Sequence, residues 1–112
     1  MGYGTGAGGA VTQITSKATG VTLNTLCGQI TTNNAALAAN SRVSFTVTNS
    51  AVAATDVVLP SIASGISTGA NYGFWVDAVA AGSFRISILN NTAGSLSEAI
   101  VFNFAVIKAV TS

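Results

Sequence analysis

Ser83-Phe84-Arg85-Ile86-Ser87-Ile88-Leu89-Asn90 and Ala99-Ile100-Val101-Phe102-Asn103-Phe104-Ala105-Val106-Ile107 decide the fold class. In the first run Phe84, Ile86 and Ile88 alternate with Arg85, Ser87 and Leu89, the period-two pattern of a half-buried strand. The second run is apolar at nearly every position, as in a strand covered on both sides. Between them lies a polar loop, Asn90-Asn91-Thr92-Ala93-Gly94-Ser95. Two such runs around a Gly-containing loop predict an antiparallel hairpin with a long turn, set in the middle of a sheet.

Working outward, further strands are short and close together. Arg42 to Thr48 is the cleanest, with Val43, Phe45 and Val47 pointing inward and Arg42, Ser44, Thr46 and Thr48 outward. Val11 to Thr15, Val21 to Leu23 and Ile30 to Thr32 are short extended pieces rich in β-branched residues. Val52 to Leu59 reads as a strand stopped by Pro60, and Ser61 to Ala70 as a Ser/Gly/Ala loop carrying Ile62 and Ile66. Tyr72 to Val79 alternates again. Tyr72, Phe74, Val76 and Ala78 share one face; Gly73, Trp75, Asp77 and Val79 share the other. That parity sets Trp75 beside the charge of Asp77. Ala35 to Ala39 has helix propensity but spans barely one turn, so it is read as a crossing between sandwich edges. The sum is an all-β protein: an antiparallel β-sandwich of about eight strands with jelly-roll or Greek-key connections.

Residues 11–112 are read as one domain, and residues 1–10 as a flexible Gly-rich N-terminal arm. Five glycines in its ten residues carry too much backbone entropy for regular structure on their own. Gly4-x-Gly6-x-x-Gly9 matches a dinucleotide fingerprint as a string, but no strand precedes it and no helix follows. Gly2, Tyr3, Gly4, Gly6, Gly8 and Gly9 are therefore candidate contact residues that order against a partner, with Tyr3 as the anchoring side chain. Trp75 and Tyr72 are the candidate contact residues of the domain.

Composition restricts the chemistry. Of 112 residues only seven are charged: Lys17, Arg42, Arg85, Lys108, Asp56, Asp77 and Glu98. That is 6% against a usual share of about 25%. A free monomer with so few charges is poorly protected against association, which points to a surface in permanent contact with other chains. There is no histidine, hence no common general base or metal ligand, and Cys27 has no imidazole to activate it. Cys27 is expected to be a buried structural thiol. Catalytic, cofactor and metal sites are expected to be absent. Scattered basic residues with a net charge of +1 argue against nucleic acid. The longest apolar run is interrupted by Asn103 and Lys108, so no membrane span is expected. Met1-Gly2 fails as a myristoylation signal because Gly6 stands where Ser or Thr is required. Asn90-Asn91-Thr92 is a formal glycosylation sequon, discounted here. With one cysteine and no secretory signal pattern, synthesis in a reducing cytoplasm is expected.

Several segments together resemble a family of small virion proteins of tailed bacteriophages and prophages. They are Gly4-Thr-Gly-Ala-Gly-Gly-Ala-Val-Thr-Gln-Ile-Thr-Ser-Lys-Ala-Thr-Gly-Val-Thr-Leu-Asn24, Gly28-Gln-Ile-Thr-Thr-Asn-Asn-Ala-Ala-Leu-Ala-Ala39, Val43-Ser-Phe-Thr-Val-Thr-Asn-Ser50, Ala53-Ala-Thr-Asp-Val-Val58 and Ala93-Gly-Ser-Leu-Ser-Glu-Ala-Ile-Val-Phe-Asn-Phe-Ala-Val-Ile-Lys108. The resemblance covers nearly the whole chain and carries no catalytic pattern. With that setting, the length, the charge-poor surface and an arm able to thread between capsid subunits lead us to expect capsid decoration (cement) on the outer capsid surface of the virion, as a trimer, with the phage major capsid protein as partner. The alternative is a head-fibre, tail-fibre or spike module that contacts host glycan through Trp75 and Tyr72.

Overall fold

The computed structural model describes residues 8–66 and 71–108, and the fold is an all-β sandwich. Eight strands are present among those residues: β1 (Ala10–Thr12), β2 (Val21–Thr22), β3 (Cys27–Thr31), β4 (Arg42–Thr48), β5 (Val57–Ser64), β6 (Tyr72–Ala80), β7 (Ser83–Asn90) and β8 (Val101–Ile107). They form two four-stranded sheets, β1-β3-β8-β5 (sheet A) and β2-β4-β7-β6 (sheet B).

The path is regular. The first six strands alternate A, B, A, B, A, B; only the β6–β7 turn stays within one sheet. Two crossings return the chain to its own sheet in its original direction, so β1 pairs β3 in parallel and β2 pairs β4 in parallel. The expectation of a purely antiparallel sandwich is corrected: both sheets are mixed. β7 and β8 then enter antiparallel, β7 between β4 and β6 and β8 between β3 and β5. The expected β7–β8 hairpin is likewise corrected. Each strand is central, but in a different sheet, and residues 91–100 cross between them. That crossing runs beside the β3–β4 crossing, with Leu37 and Leu96 exchanging backbone hydrogen bonds of 2.7 and 3.0 Å.

The core lies between the two central strands and their flanks. Phe84, Ile86 and Ile88 of β7 face Phe102, Phe104 and Val106 of β8, and all are 0–3% exposed. Phe74 meets Phe102 edge-on and Phe84 tilts against Phe104, with ring centroids 5.5 Å apart in each pair. Burying each such side chain contributes about 1.5–3 kcal/mol.

Crossings expose backbone groups that no ladder satisfies, and buried polar side chains take them up. Gln13 donates to the carbonyls of Lys17 and Thr19 at 2.9 Å and accepts from the Asn33 amide at 3.0 Å. Asn49 donates to Thr25 O at 2.7 Å and accepts from the Ala51 amide. Asn90, fully buried, donates to Leu37 O and Gly94 O and accepts from the Thr92 amide and hydroxyl. Its side chain is thus unavailable as a glycosylation acceptor.

Other differences from the sequence reading have local causes. β1 ends at Thr12 because Gln13 turns inward to wire the next crossing. Pro60 does not stop β5 but sits within it, opposite Phe104; β5 is an edge strand, where a missing N–H is tolerated. The expected loop after Pro60 is strand as far as Ser64. Ala78, expected to share the face of Tyr72, Phe74 and Val76, is exposed: a register shift between Asp77 and Ala80 and its φ of +53° turn it out. Cys27 is half-buried and faces outward from sheet A rather than into the core.

Candidate interaction surfaces

The sandwich leaves two broad outer faces, and register fixes what each carries. On sheet B the rows run Arg42–Leu89–Gly73, Ser44–Ser87–Trp75, Thr46–Arg85–Asp77 and Thr48–Ser83–Ala80, with Thr22 beside Thr48. Trp75 and Asp77 are two apart on β6 and so share the face, as expected. The indole Nε1 donates to Asp77 Oδ2 at 3.2 Å, and Arg85 Nε donates to Asp77 Oδ1 at 2.7 Å. The Arg85 hydrogen bond is the main cause holding the Asp77 carboxyl below the usual carboxylate range; the Trp75 hydrogen bond and the charge of Arg42 add to it. Asp77 in turn raises Arg85 further. The Ser44 and Ser87 hydroxyls meet at 2.8 Å, and Ser87 is 1% exposed although it points outward, so its neighbours lie over it.

On sheet A the rows run Val57–Ile107, Leu59–Ala105–Cys27, Ser61–Asn103–Gln29–Ala10 and Val101–Thr31–Thr12. None of the seven charged residues stands on this face. Leu59 is 53% and Val57 47% exposed, and Gln29 Nε2 donates to Asn103 Oδ1 at 3.3 Å. This face was not singled out from the sequence, because reading it requires the β5–β8–β3 register.

The remaining charges lie elsewhere. Lys17 is 3% exposed, its Nζ donating to the backbone oxygens of Asn33 and Glu98; burial lowers its pKa, opposed by the charge of Glu98. Tyr72 is 5% exposed and donates its hydroxyl to Glu98 Oε1 at 2.7 Å. Burial, then that hydrogen bond and the Glu98 charge, push the phenol far above its ordinary value. Tyr72 is thus a core residue with an internal partner, which corrects its assignment as a contact residue. Lys108 pairs with the buried carboxylate of Asp56, which also accepts from the Ala53 amide at 2.8 Å.

Of the arm candidates, Gly2, Tyr3, Gly4 and Gly6 lie outside the described residues. Gly8 and Gly9 are exposed, yet they run alongside β3: Gly9 O accepts from Gln29 N at 2.9 Å. The sheet therefore reaches two residues further toward the N-terminus than the boundary expected at Val11. Among the described residues no three of His, Cys, Asp and Glu gather as metal ligands, no pocket opens, and no helix is long and apolar enough to cross a membrane.

Comparison with models of protein families, with curated proteins and with solved structures gives no match.

Proposed function

We propose that this chain is a non-enzymatic structural protein of a tailed-phage virion, a decoration (cement) protein held on the outer capsid surface by the major capsid protein and by copies of itself. The observation that carries this reading is the outer face of sheet A. It spans four strands without one charge and exposes Val57 and Leu59 near its edge. Soluble monomers rarely present such a face uncovered, since it invites association. The near full-length sequence resemblance to small phage virion proteins supplies the setting, with synthesis in the host cytoplasm before assembly.

A second reading, a head-fibre, tail-fibre or spike module, is favoured by Trp75, Asp77 and Arg85 on sheet B. An aromatic ring beside a carboxylate and a guanidinium is suited to a host glycan, whose C–H face stacks and whose hydroxyls take hydrogen bonds. Counting copies of the chain in purified particles by quantitative mass spectrometry separates the two. Hundreds per particle are expected for cement, a few dozen or fewer for a fibre. Particles that lack the chain altogether contradict both.

A further inference from the structure

We infer that the outer face of sheet A is where the chain packs against a second copy of itself, face to face about a two-fold axis. The inference rests on the reading of the chain as an assembly protein and names the surface and partner of that assembly.

The four edge strands are poor candidates for self-contact. β1 and β2 offer three and two residues. β5 carries Pro60 and a register shift between Ile62 and Ser64, and β6 carries a shift between Asp77 and Ala80. Short strands, prolines and bulges are the devices that keep sheet edges from pairing with other chains. Association is thereby directed to the faces.

The two faces differ in what they accept. Around a two-fold axis each residue meets the same patch of its copy, so the patch must complement itself. Sheet B carries Arg42 and Arg85 against the single carboxylate of Asp77, and a net positive patch facing its own copy disfavours pairing. Sheet A has nothing to repel. Its polar members, Thr12, Gln29, Thr31, Ser61 and Asn103, each carry both a donor and an acceptor and so can bond to their own kind. The Gln29–Asn103 hydrogen bond uses one Gln29 N–H and Asn103 Oδ1, and so leaves Gln29 Oε1 and the Asn103 amide N–H groups for such a neighbour. Equally, a face without charge has nothing with which to select a charged foreign partner. The strands of sheet A hold three, five, seven and eight residues, and at about 4.8 Å by 3.3 Å per residue they give a plane of about 360 Å² before side-chain relief. Side-chain relief raises this toward the roughly 600 Å² per partner at the lower end of specific interfaces.

Cys27, the only cysteine, stands in the Leu59–Ala105–Cys27 row and reports on this face without any mutation. The purified full chain is measured by sedimentation and light scattering across concentration, with maleimide labelling of Cys27 followed in parallel. The expected mass is twice 11.1 kDa, with labelling slowing in proportion to the fraction paired. Leu59→Arg, at an exposed position, is expected to return the monomer mass and fast labelling with an unchanged circular dichroism spectrum. Thr46→Arg on sheet B is expected to change neither. A monomer at every concentration with uniformly reactive Cys27 overturns the inference. So does a three-fold oligomer insensitive to Leu59→Arg, and in that case hundreds of copies per particle would still leave the virion role standing.

Discussion

The indole N–H of Trp75 donates to Asp77 Oδ2 at 3.2 Å, two residues further along the same strand, while Arg85 on the neighbouring strand holds the other carboxylate oxygen at 2.7 Å. Trp75 is the only tryptophan, so its fluorescence reads the protonation of Asp77 directly. The Asp77 carboxyl lies below its ordinary value because Arg85 bonds to the ionised form. A depressed folded value means that the contribution of this carboxylate is present above about pH 4 and is lost only as pH falls through the lower folded value. A fluorescence titration is expected to show its midpoint below the ordinary aspartate range, and Arg85→Gln to move that midpoint upward. An unmoved midpoint would break the link between the ion pair and the ring.

Gly65 stands at φ +90°, and a Cβ placed there would come within 2.1 Å of Ala99 O. A left-handed backbone alone costs an L-residue about 1–2 kcal/mol, and this clash is with backbone that cannot swing away. Gly65→Ala is expected to lower stability by at least about 2 kcal/mol in urea unfolding. Gly82→Ala, also at positive φ but with open space around its Cβ, is expected to cost only about 1 kcal/mol.

Asn90 closes four hydrogen bonds at the junction of β7 with the crossing to β8. Asn90→Ala leaves the Thr92 amide without a partner and takes one of two donors from each of Leu37 O and Gly94 O, and a loss of about 1–3 kcal/mol is expected in the same assay. A loss below about 0.5 kcal/mol would show that water replaces the amide freely.

At alkaline pH two buried groups act in opposite directions. Burial lowers Lys17 below its ordinary 10.5, so the unfolded chain binds that proton more tightly and stability rises with pH up to about that value. Tyr72 is raised above its ordinary 10.0, so its contribution is intact below that pH and is lost as pH rises further toward the folded value. Denaturation midpoints are expected to climb toward about pH 10 and then fall. Lys17→Met should flatten the climb and Tyr72→Phe should weaken the fall.

How much of this was legible follows from which signals are local. The inward and outward sets of β4 and β7 were read correctly, since Val43, Phe45 and Val47, and Phe84, Ile86 and Ile88, alternate with a strict period of two. Trp75 beside Asp77 was legible for the same reason; Arg85 was not, because its place opposite Asp77 depends on register. The apolar run of β8 marks a central strand in either sheet, so residues alone could not say that β7 and β8 part company. Parallel pairing of β1 with β3 and of β2 with β4 arises from the alternation between sheets, which no window of sequence contains. Pro60 misled because its cost depends on whether a strand lies at an edge. Tyr72 misled because alternation groups it with Phe74 and Val76 without saying which way that face looks, and the burial of its hydroxyl against Glu98 follows from a crossing that approaches from 26 residues away.

The central claim, that this chain lives on the surface of a virion, is tested most directly by difference imaging of purified particles assembled with and without it. Density of sandwich size is expected, repeated over the outer face of the head and missing when the chain is deleted. Identical maps, with the chain recovered only from the soluble fraction, would contradict it.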